Sequence, residues 1–445
     1  MKLGLISLGC SKNLVDSEHL IGMLVARKGF EITNNIEEAD VALINTCGFI
    51  GDAKEESIQT ILEIGQYKTT GKLKKLIVAG CLAQRYAQEI IDEMPEVDAV
   101  IGTGDIDKIE KIVDEIFQDK KVVESESLNF LANAATERIL TTNPHTAYLK
   151  IAEGCDRKCA YCIIPQLRGK LRSRSIEDIV AEAEALAAAG VRELNLLAQE
   201  TTEYGIDLYG KKALPDLLRE LVKVEGIQWI RCYYMFPNSI TDELIEVIKE
   251  EPKVCNYFDV PIQHISDEIL RNMGRAKSGD YIKSILNRIR TEIPEATIRT
   301  TVIVGFPGET EDQFEELKEF AKEFKFDYMG VFKYSREEGT RAHEMENQVD
   351  EEIKQRRWAE LTNLQSEIAE AKNRELLGTV VDVMIDGISS ESEHMLEGRT
   401  MGQALEIDGK VLTNDGTAKQ GEIVKVKLEQ NFDYDFVGPI VENEK

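Results

Sequence analysis

The sequence predicts an α/β protein of three units: a doubly wound parallel sheet, a partial parallel (β/α)6 barrel and a small all-β barrel. Three observations support this prediction. Apolar runs alternate with amphipathic stretches through most of the chain, the hydrophobic period changes to two after Gly378, and 445 residues exceed the roughly 250–300 of a single core. The predicted bounds are residues 1–120, a linker over 121–140, the barrel over 141–375 and the last unit over 376–445.

The first unit is predicted from four buried strands separated by helical patterns. The strands are apolar runs at residues 3–8, 41–45, 76–79 and 97–101. Helical periodicity is found at residues 17–28 and 54–67. From Asp119 to about Pro144 the pattern becomes polar, which is typical of a linker.

The second unit is predicted from six further strands with helical patterns between them. The strands are residues 147–152, 193–198, 229–235, 257–261, 297–304 and 328–333. The helical patterns include residues 176–189, closed by Gly190, and 311–324. Because no seventh and eighth repeats are clear, the barrel is expected to be partial and open.

The last unit follows one long amphipathic helix, predicted over residues 351–377. Apolar runs with strand periodicity follow at residues 379–385, 404–407, 422–428 and 436–441. Asp-Gly and Asn-Asp-Gly turns punctuate this segment. A small all-β barrel of the nucleic-acid-binding type is therefore predicted.

Composition limits the kinds of partner. A formal net charge of −27, with 30% charged and 42% hydrophobic residues, argues against unspecific attraction to a phosphate backbone. A basic protein is the better-matched large partner, although acidity also serves solubility alone. No apolar run approaches the roughly 20 residues of a membrane span, so we expect a cytoplasmic protein without a membrane partner.

Three cysteines stand close together after the first predicted barrel strand. Cys155, Cys159 and Cys162, here called the barrel trio, form a C-x3-C-x2-C pattern. Three thiolates at this spacing can ligate three irons of a 4Fe–4S cluster and leave the fourth iron open, as a catalytic site requires. The alternatives are a zinc knuckle without its fourth ligand, for which no nearby histidine is available, and surface thiols. We predict that the trio is both metal-ligating and catalytic.

A second group of cysteines is brought together only by the predicted fold. Cys10, Cys47 and Cys81, here called the N-terminal trio, each come just past a strand of the first unit. Strand carboxyl ends share one edge of a parallel sheet, where such folds place their sites. A second cluster is therefore predicted there, with buried inert thiols as the alternative. Cys232 and Cys255 have no comparable spacing and are predicted to lie in the core.

Four further residues have weaker support. Gly305 and Gly308 follow a barrel strand within Ile-Val-Gly-Phe-Pro-Gly-Glu, and glycine would let the backbone approach a ligand, although an ordinary tight turn has the same pattern. Gln199 and His264 also follow barrel strands, where catalytic groups gather. A lone histidine is more often structural.

These residues together resemble a known superfamily. The C-x3-C-x2-C pattern with Tyr161 before its last cysteine, on a partial parallel barrel, is similar to the radical S-adenosylmethionine (SAM) enzymes. A three-cysteine domain, this barrel and a carboxy-terminal TRAM barrel, in that order, resemble the methylthiotransferases over essentially the whole chain. Ser11 stands where many relatives have proline.

Two branches of that family modify different substrates, an adenosine of transfer RNA or an aspartate of a small-subunit ribosomal protein. Five segments resemble the ribosomal-protein branch: SLGCSKNLVDSE at 7–18, PIQHISD at 261–267, YSREEGT at 334–340, EIDG at 406–409 and DYD at 433–435. From residue 379 to 445, 6 Lys and Arg stand against 14 Asp and Glu, a net charge of −8. A barrel that grips transfer RNA should be basic, so a basic ribosomal protein is the better match.

The resemblance implies an enzyme that adds a methylthio group to the β-carbon of an aspartate. No side-chain base deprotonates that carbon at neutral pH, so a radical route suits it. Two 4Fe–4S clusters are implied, one on each trio, with SAM at the open iron of the barrel trio, sulfur supplied at the N-terminal trio and an external electron donor. Tyr161, Gln199, Gly305 and Gly308 are expected to contact SAM. A transfer-RNA methylthiotransferase and a noncatalytic iron–sulfur module are the alternatives.

Overall fold

The computed structural model describes residues 1–275 and 277–441, which form an N-terminal sheet, a central barrel and a C-terminal sheet. The largest apolar cluster fills the barrel and the helices around it. Separate clusters lie on the two faces of the N-terminal sheet and inside the C-terminal sheet. Within the described ranges, no helix has the length and apolarity that crossing a bilayer demands.

The N-terminal unit is a six-stranded, all-parallel sheet with helices on both faces. Across the sheet the strands are Glu31–Thr33, Lys2–Ser7, Val41–Thr46, Lys75–Gly80, Ala99–Ile101 and Val122–Glu124. From Lys2–Ser7 the chain continues toward one edge of the sheet, and from Val41–Thr46 it continues toward the other. This topological switch point leaves a crevice at the carboxyl ends of these two strands. The helices are Ser11–Lys28, Ile36–Glu38, Gly51–Gly65, Tyr67–Thr70, Cys81–Arg85, Ala87–Glu93, Ile106–Lys108 and Ile109–Ile116.

The central unit is an open barrel of six parallel strands in two groups of three. The strands are Thr146–Lys150, Glu193–Leu197, Trp229–Cys232, Tyr257–Asp259, Thr297–Val304 and Tyr328–Lys333. An isolated bridge between Ile230 and Val254 joins the groups. Strands Ala152–Glu153 and Arg172–Ser173 form a short antiparallel ribbon beside the barrel.

Helices surround the barrel and the longest crosses its last strand. They are Ile164–Arg168, Ile176–Ala188, Thr201–Glu203, Ile206–Tyr209, Leu214–Leu221, Pro237–Ser239, Asp242–Glu250, Asp267–Asn272, Gly279–Glu292, Glu311–Phe324, Arg341–Glu344 and Glu351–Leu376. Trp358 of the longest helix donates its indole N–H to the Val331 carbonyl at 3.0 Å. This contact fixes the helix against the barrel's open side.

The C-terminal unit is a curled seven-stranded sheet. Across it the strands are Gln430–Phe432, Asp435–Val437, Val411–Thr413, Leu396–Arg399, Val380–Ile388, Ile423–Lys427 and Ile440–Val441. Strand Val411–Thr413 pairs in parallel with Asp435–Val437, and the remaining neighbours are antiparallel.

The predicted fold class is confirmed in all three units. Two of the six barrel strands have the predicted bounds, Thr297–Val304 and Tyr328–Lys333. Strand Val122–Glu124 lies within the segment predicted as linker, and its length of three residues, of which only Val122 is buried, explains why an apolar pattern did not reveal it. Strands Leu396–Arg399 and Val411–Thr413 were also absent from the predicted set.

The prediction of a strand at residues 404–407 is wrong, because these residues form a turn. Ala404 and Leu405 are buried beside Tyr257 of the barrel. Asp408, which follows, accepts hydrogen bonds from the Tyr257 hydroxyl at 2.7 Å and the Ala404 N–H at 3.0 Å. The apolar character of the run therefore reflects contact between two units and not strand pairing.

A buried ionic cluster joins the C-terminal sheet to the barrel. Arg399 donates to Glu193 and to Asp386, each at 2.7 Å. Arg231 lies 3.3 Å from Glu193, and His145 contacts Asp386 at 2.9 Å. Burial acts to raise the pKa of Glu193, but the two arginines more than offset it and lower that pKa to about 2. Glu193 is therefore ionised in the folded protein.

Glu193→Gln tests this cluster. In the variant, the buried guanidinium groups of Arg231 and Arg399 lose the carboxylate that compensates their charge. We therefore expect the free energy of unfolding to fall by about 3–5 kcal/mol. Because the pKa of Glu193 falls from 4.5 to about 2 on folding, its stabilisation is complete above pH 4.5 and is lost as the pH falls toward 2. Calorimetry should show that the transition temperature of the variant falls less steeply than that of the wild type as the pH is lowered from 4.5 toward 2.

The control for this measurement is Glu250→Gln. Glu250 is exposed and has no ion pair within the described structure. Its substitution should leave the transition temperature and its pH dependence unchanged. Equal effects of the two substitutions would contradict a special role for the Glu193 cluster.

Candidate active site

One cavity of about 540 Å³ lies between the carboxyl edge of the N-terminal sheet and the strand ends of the barrel. All six cysteines of the two trios line it. Exposed apolar side chains from the three units also line it, namely Phe49, Phe332 and Ile407. Cys232 and Cys255 are buried in the core, as predicted. The fold thus brings to one space two sets of thiols that are far apart in sequence.

Close backbone approaches assemble the N-terminal trio. Cys10, Cys47 and Cys81 each follow a strand of the sheet. A Cβ at Gly9, whose φ is +89°, would lie 2.9 Å from the Cys47 Cβ. A Cβ at Gly48 would lie 2.8 Å from the Cys81 carbonyl carbon. Glycine is therefore needed beside the cysteines for the three strand ends to meet.

The Asn13 side chain ties these strand ends together. Its Nδ2 donates to the carbonyl oxygens of Leu8 at 3.2 Å and Thr46 at 2.9 Å. Its Oδ1 accepts from Arg168 at 2.5 Å and lies 3.6 Å from the Cys81 sulfur. One buried amide thus connects two loops of the trio to the barrel.

The N-terminal thiols differ in their electrostatics. Burial raises the pKa of Cys47 to about 11 and also raises that of Cys81. Cys10 caps the start of helix Ser11–Lys28 and opens to the cavity. Enclosure acts to raise its pKa, but Lys12, Arg168 and the helix N–H groups outweigh this and the pKa is lowered. Cys10 is therefore the thiol of this trio that loses its proton most readily.

The barrel trio lies on a tightly curled loop. The Cys155 N–H donates to the Gly169 carbonyl at 3.0 Å, and the Cys162 N–H donates to the Cys159 carbonyl at 3.2 Å. The Arg157 N–H points at the Cys155 sulfur from 3.4 Å. Burial raises the pKa of Cys155 to about 11 and of Cys162 to about 12. Since metals bind thiolates, metal binding here would release protons.

Two of the four predicted cofactor contacts line the cavity. The Tyr161 hydroxyl accepts a hydrogen bond from Arg275 at 3.2 Å. Gln199 donates its amide N–H to Glu153. The buried Oε1 of Gln199 has no partner among residues 1–275 and 277–441. Both residues thus lie where a ligand in the cavity would contact them.

The other two predicted contacts lie outside the cavity lining. Gly305 and Gly308 have φ values of +73° and +84°, and the Gly305 N–H donates to Glu309 at 2.5 Å. Their contact with a cofactor stays a prediction. His264 is fully buried away from the cavity, and its Nδ1 accepts from the Ser266 N–H at 3.0 Å, which indicates a structural role.

Sequence patterns missed a buried ionic network beside the N-terminal trio. Arg168 donates to Asp16 at 2.5 Å and reaches the Cys81 sulfur at 3.4 Å. Lys150 binds both Asp16 and Glu153, the latter at 2.8 Å. The available signal was a lysine and a glutamate within and beside an apolar strand, because such residues are rarely buried unless they are paired.

A second missed feature forms the wall beside the barrel trio. The Phe236 ring lies between two guanidinium groups, those of Arg157 and Arg275, each 4.2 Å from the ring centroid. Arg157 is held in turn by Glu200 at 3.0 Å and Glu203 at 2.7 Å. Cation–π contacts and ion pairs together make this wall rigid.

The donor chemistry of the two trios, three free thiols in each, is compatible with iron–sulfur clusters. In the described part of the chain, no three His, Cys, Asp or Glu side chains lie close enough to hold one metal ion. In a cubane cluster each thiolate binds a different iron, so three thiolates need not converge on one point. All six thiols are free of disulfides.

Models of known protein families match three segments of the chain. Residues 2–102 match an uncharacterized protein family designated UPF0004, residues 149–321 match the radical SAM superfamily, and residues 377–441 match the TRAM domain. These segments correspond to the N-terminal sheet, the barrel and the C-terminal sheet.

Two solved structures have a similar fold. The radical S-adenosylmethionine methyltransferase TsrM from Kitasatospora setae has a TM-score of 0.54 at 14% identity, covering 75% of this chain and 74% of that chain. The cobalamin-dependent S-adenosylmethionine radical enzyme OxsB has a TM-score of 0.51 at 13% identity, covering 83% and 56%. Together with the superfamily match and the thiol-lined cavity, this fold defines a radical SAM enzyme.

Curated relatives identify the family within this class. The ribosomal protein uS12 methylthiotransferase RimO of Clostridioides difficile is 48% identical over 442 residues, covering 99% of both chains. That of Geobacter sulfurreducens is 47% identical over 446 residues, covering 99% of this chain and 98% of its own. The chain belongs to the RimO family of methylthiotransferases.

Arg168→Met tests the ionic network between the N-terminal unit and the barrel. The variant leaves Asp16 and Glu153 with Lys150 as their one cation in the network, so we expect the contact to weaken by about 3–5 kcal/mol. Amide hydrogen exchange in helix Ser11–Lys28 should accelerate, because this helix carries Asp16.

The matched control is Arg192→Met. Arg192 is half-buried and reaches carbonyl oxygens at 3.3 and 3.5 Å but no carboxylate of the described residues. Its loss should leave exchange in the helix unchanged. If exchange in the helix were also unchanged in Arg168→Met, the network would not hold the two units together.

Proposed function

We propose that the protein transfers a methylthio group to the β-carbon of an aspartate in ribosomal protein uS12. The observation that carries the proposal is the convergence of two cysteine trios on one cavity. Relatives that bear this activity in their names align over 99% of the chain, which supports the same substrate.

The barrel trio would hold a 4Fe–4S cluster with SAM at its open iron. With an electron from an external donor, the bound cluster and SAM would supply the radical chemistry needed to remove hydrogen from an unactivated carbon. Tyr161 and Gln199 would orient the cofactor from the cavity wall. Gly305 and Gly308 are proposed as further contacts through their backbone.

The N-terminal trio would hold a second 4Fe–4S cluster, beside which the transferred sulfur is carried. Asn13 and Arg168 keep these cysteines facing the barrel trio. The Phe236 ring with Arg157 and Arg275 lines the same cavity as the barrel trio. A reactive carbon placed between the trios would therefore meet both centres without leaving the cavity.

Charge complementarity supports a basic protein as the partner. The whole chain carries a net charge of −27, and residues 379–445 carry −8. Both values favour a lysine- and arginine-rich ribosomal protein as the partner and disfavour transfer RNA. The ribosomal protein would be bound either free or as part of the ribosome. An external electron donor completes the set of partners.

Product analysis tests the substrate. The reduced, iron-reconstituted protein is incubated with SAM and either purified uS12 or unmodified transfer RNA. We expect a methylthio mass gain on one aspartate of uS12 and none on the nucleic acid. A gain on adenosine would make the protein a transfer-RNA methylthiotransferase, and the absence of SAM cleavage would favour a noncatalytic module.

Two cysteine variants test the proposed division of labour. Cys155→Ala should abolish SAM cleavage, because it removes a ligand of the barrel trio. Cys10→Ala should retain cleavage but lose sulfur transfer. Chromatography of 5′-deoxyadenosine measures cleavage, and mass spectrometry of uS12 measures transfer. Equal loss of cleavage in both folded variants would refute separate roles for the trios.

A further inference from the structure

One cavity lysine, Lys12, forms no ion pair with any residue that the structure describes. Lys12 lies in the first turn of helix Ser11–Lys28, is 7% exposed and lines the cavity. Its ammonium group forms no ion pair or hydrogen bond within residues 1–275 and 277–441. By contrast, the equally buried Lys150 pairs with Asp16 and Glu153. Buried ammonium groups are rarely left unpaired, so this one is suited to a ligand.

The position of the ammonium group is built into the fold. The Lys12 Nζ lies 3.2 Å from the centroid of the Tyr234 ring. Tyr234 has a φ of +56°, a left-handed conformation that is strained for a tyrosine. The Thr201 N–H donates to its carbonyl at 3.1 Å, and its own N–H donates to Asp259 at 3.0 Å. Strain held in this way is typical of functional sites.

Charged side chains of both signs lie near Lys12. Arg299 and Asp259 also line the cavity, and the charges of Arg299 and Lys12 both act on the Asp259 carboxylate, with which Lys12 forms no ion pair. Lys12 stands two residues after Cys10, on the sulfur-supplying side of the cavity. Ammonium groups bind carboxylates as point charges.

We propose that Lys12, supported by Tyr234, recognises the carboxylate of the substrate side chain that is modified. This inference rests on the proposed function, which places an acidic side chain in the cavity. The amino-acid carboxylate of SAM is the other source of the same chemistry. It is expected at the open iron of the barrel trio, whereas Lys12 stands two residues after Cys10 of the N-terminal trio, so the substrate is taken as the source.

The experiment compares uS12 carrying aspartate at the modified position with uS12 carrying the isosteric asparagine. Reconstituted wild type, Lys12→Met and Lys12→Arg are assayed for uS12 affinity by fluorescence anisotropy and for methylthio transfer. Wild type should bind the aspartate form roughly tenfold more tightly, a difference of about 1.4 kcal/mol. In Lys12→Met this ratio should fall to about one, and Lys12→Arg should recover part of it.

The control is Lys75→Met, made at the opposite end of the strand that precedes Cys81. Lys75 pairs with Asp119 at 2.9 Å and does not line the cavity. Its variant should keep the wild-type ratio. The same measurements are accompanied by iron content and by SAM cleavage without uS12, both of which should keep their wild-type values in Lys75→Met.

Three results would overturn the inference. Lys12→Met with a wild-type affinity ratio would remove any role in recognising the carboxylate. Loss of SAM cleavage without uS12 would assign Lys12 to the cofactor, and loss of iron would assign it to cluster assembly. Failure of wild type to modify uS12 at all would instead refute the proposed function.

Discussion

The ionic network of Asp16, Lys150, Glu153 and Arg168 is the interaction on which the site depends. It lies where the N-terminal helix meets the barrel, and each charge is compensated by another in a region that excludes water. Separating the two units would leave buried charges without partners, which is far more costly than breaking an apolar contact of similar size. The network therefore sets the relative position of the two cysteine trios, one of which follows the sheet strands while the other lies on a barrel loop.

The sequence predicted those parts of the fold and site that are encoded locally or by general topology. The spacing of Cys155, Cys159 and Cys162 is local, and the convergence of Cys10 with two distant cysteines follows from the shared edge of a parallel sheet. The wall around Phe236 was not predictable in this way, because its arginines come from separate loops. The turn after Met401 was misjudged because apolar residues that pack between units have the same composition as a strand.

The net charge of the whole chain and the charge of the cavity lining differ in sign. The chain as a whole is strongly acidic, with a net charge of −27, and attracts basic partners at long range. The cavity lining is different, since the cationic side chains there outnumber the acidic Glu200, Asp259 and Glu337; the cations are Lys12, Arg157, Arg168, Arg275, Arg299 and Lys333. The acidic character of the whole chain is therefore not shared by its cavity.

The dimensions of the cavity limit what a target must look like. About 540 Å³ is the space of a small-molecule pocket, far less than any folded domain occupies. Phe49, Phe332 and Ile407, each contributed by a different unit, are exposed and line it. Under the proposed function, the clusters and SAM would fill part of this space, so a target would enter as a single side chain or a short loop. Apolar groups from all three units would then contact it.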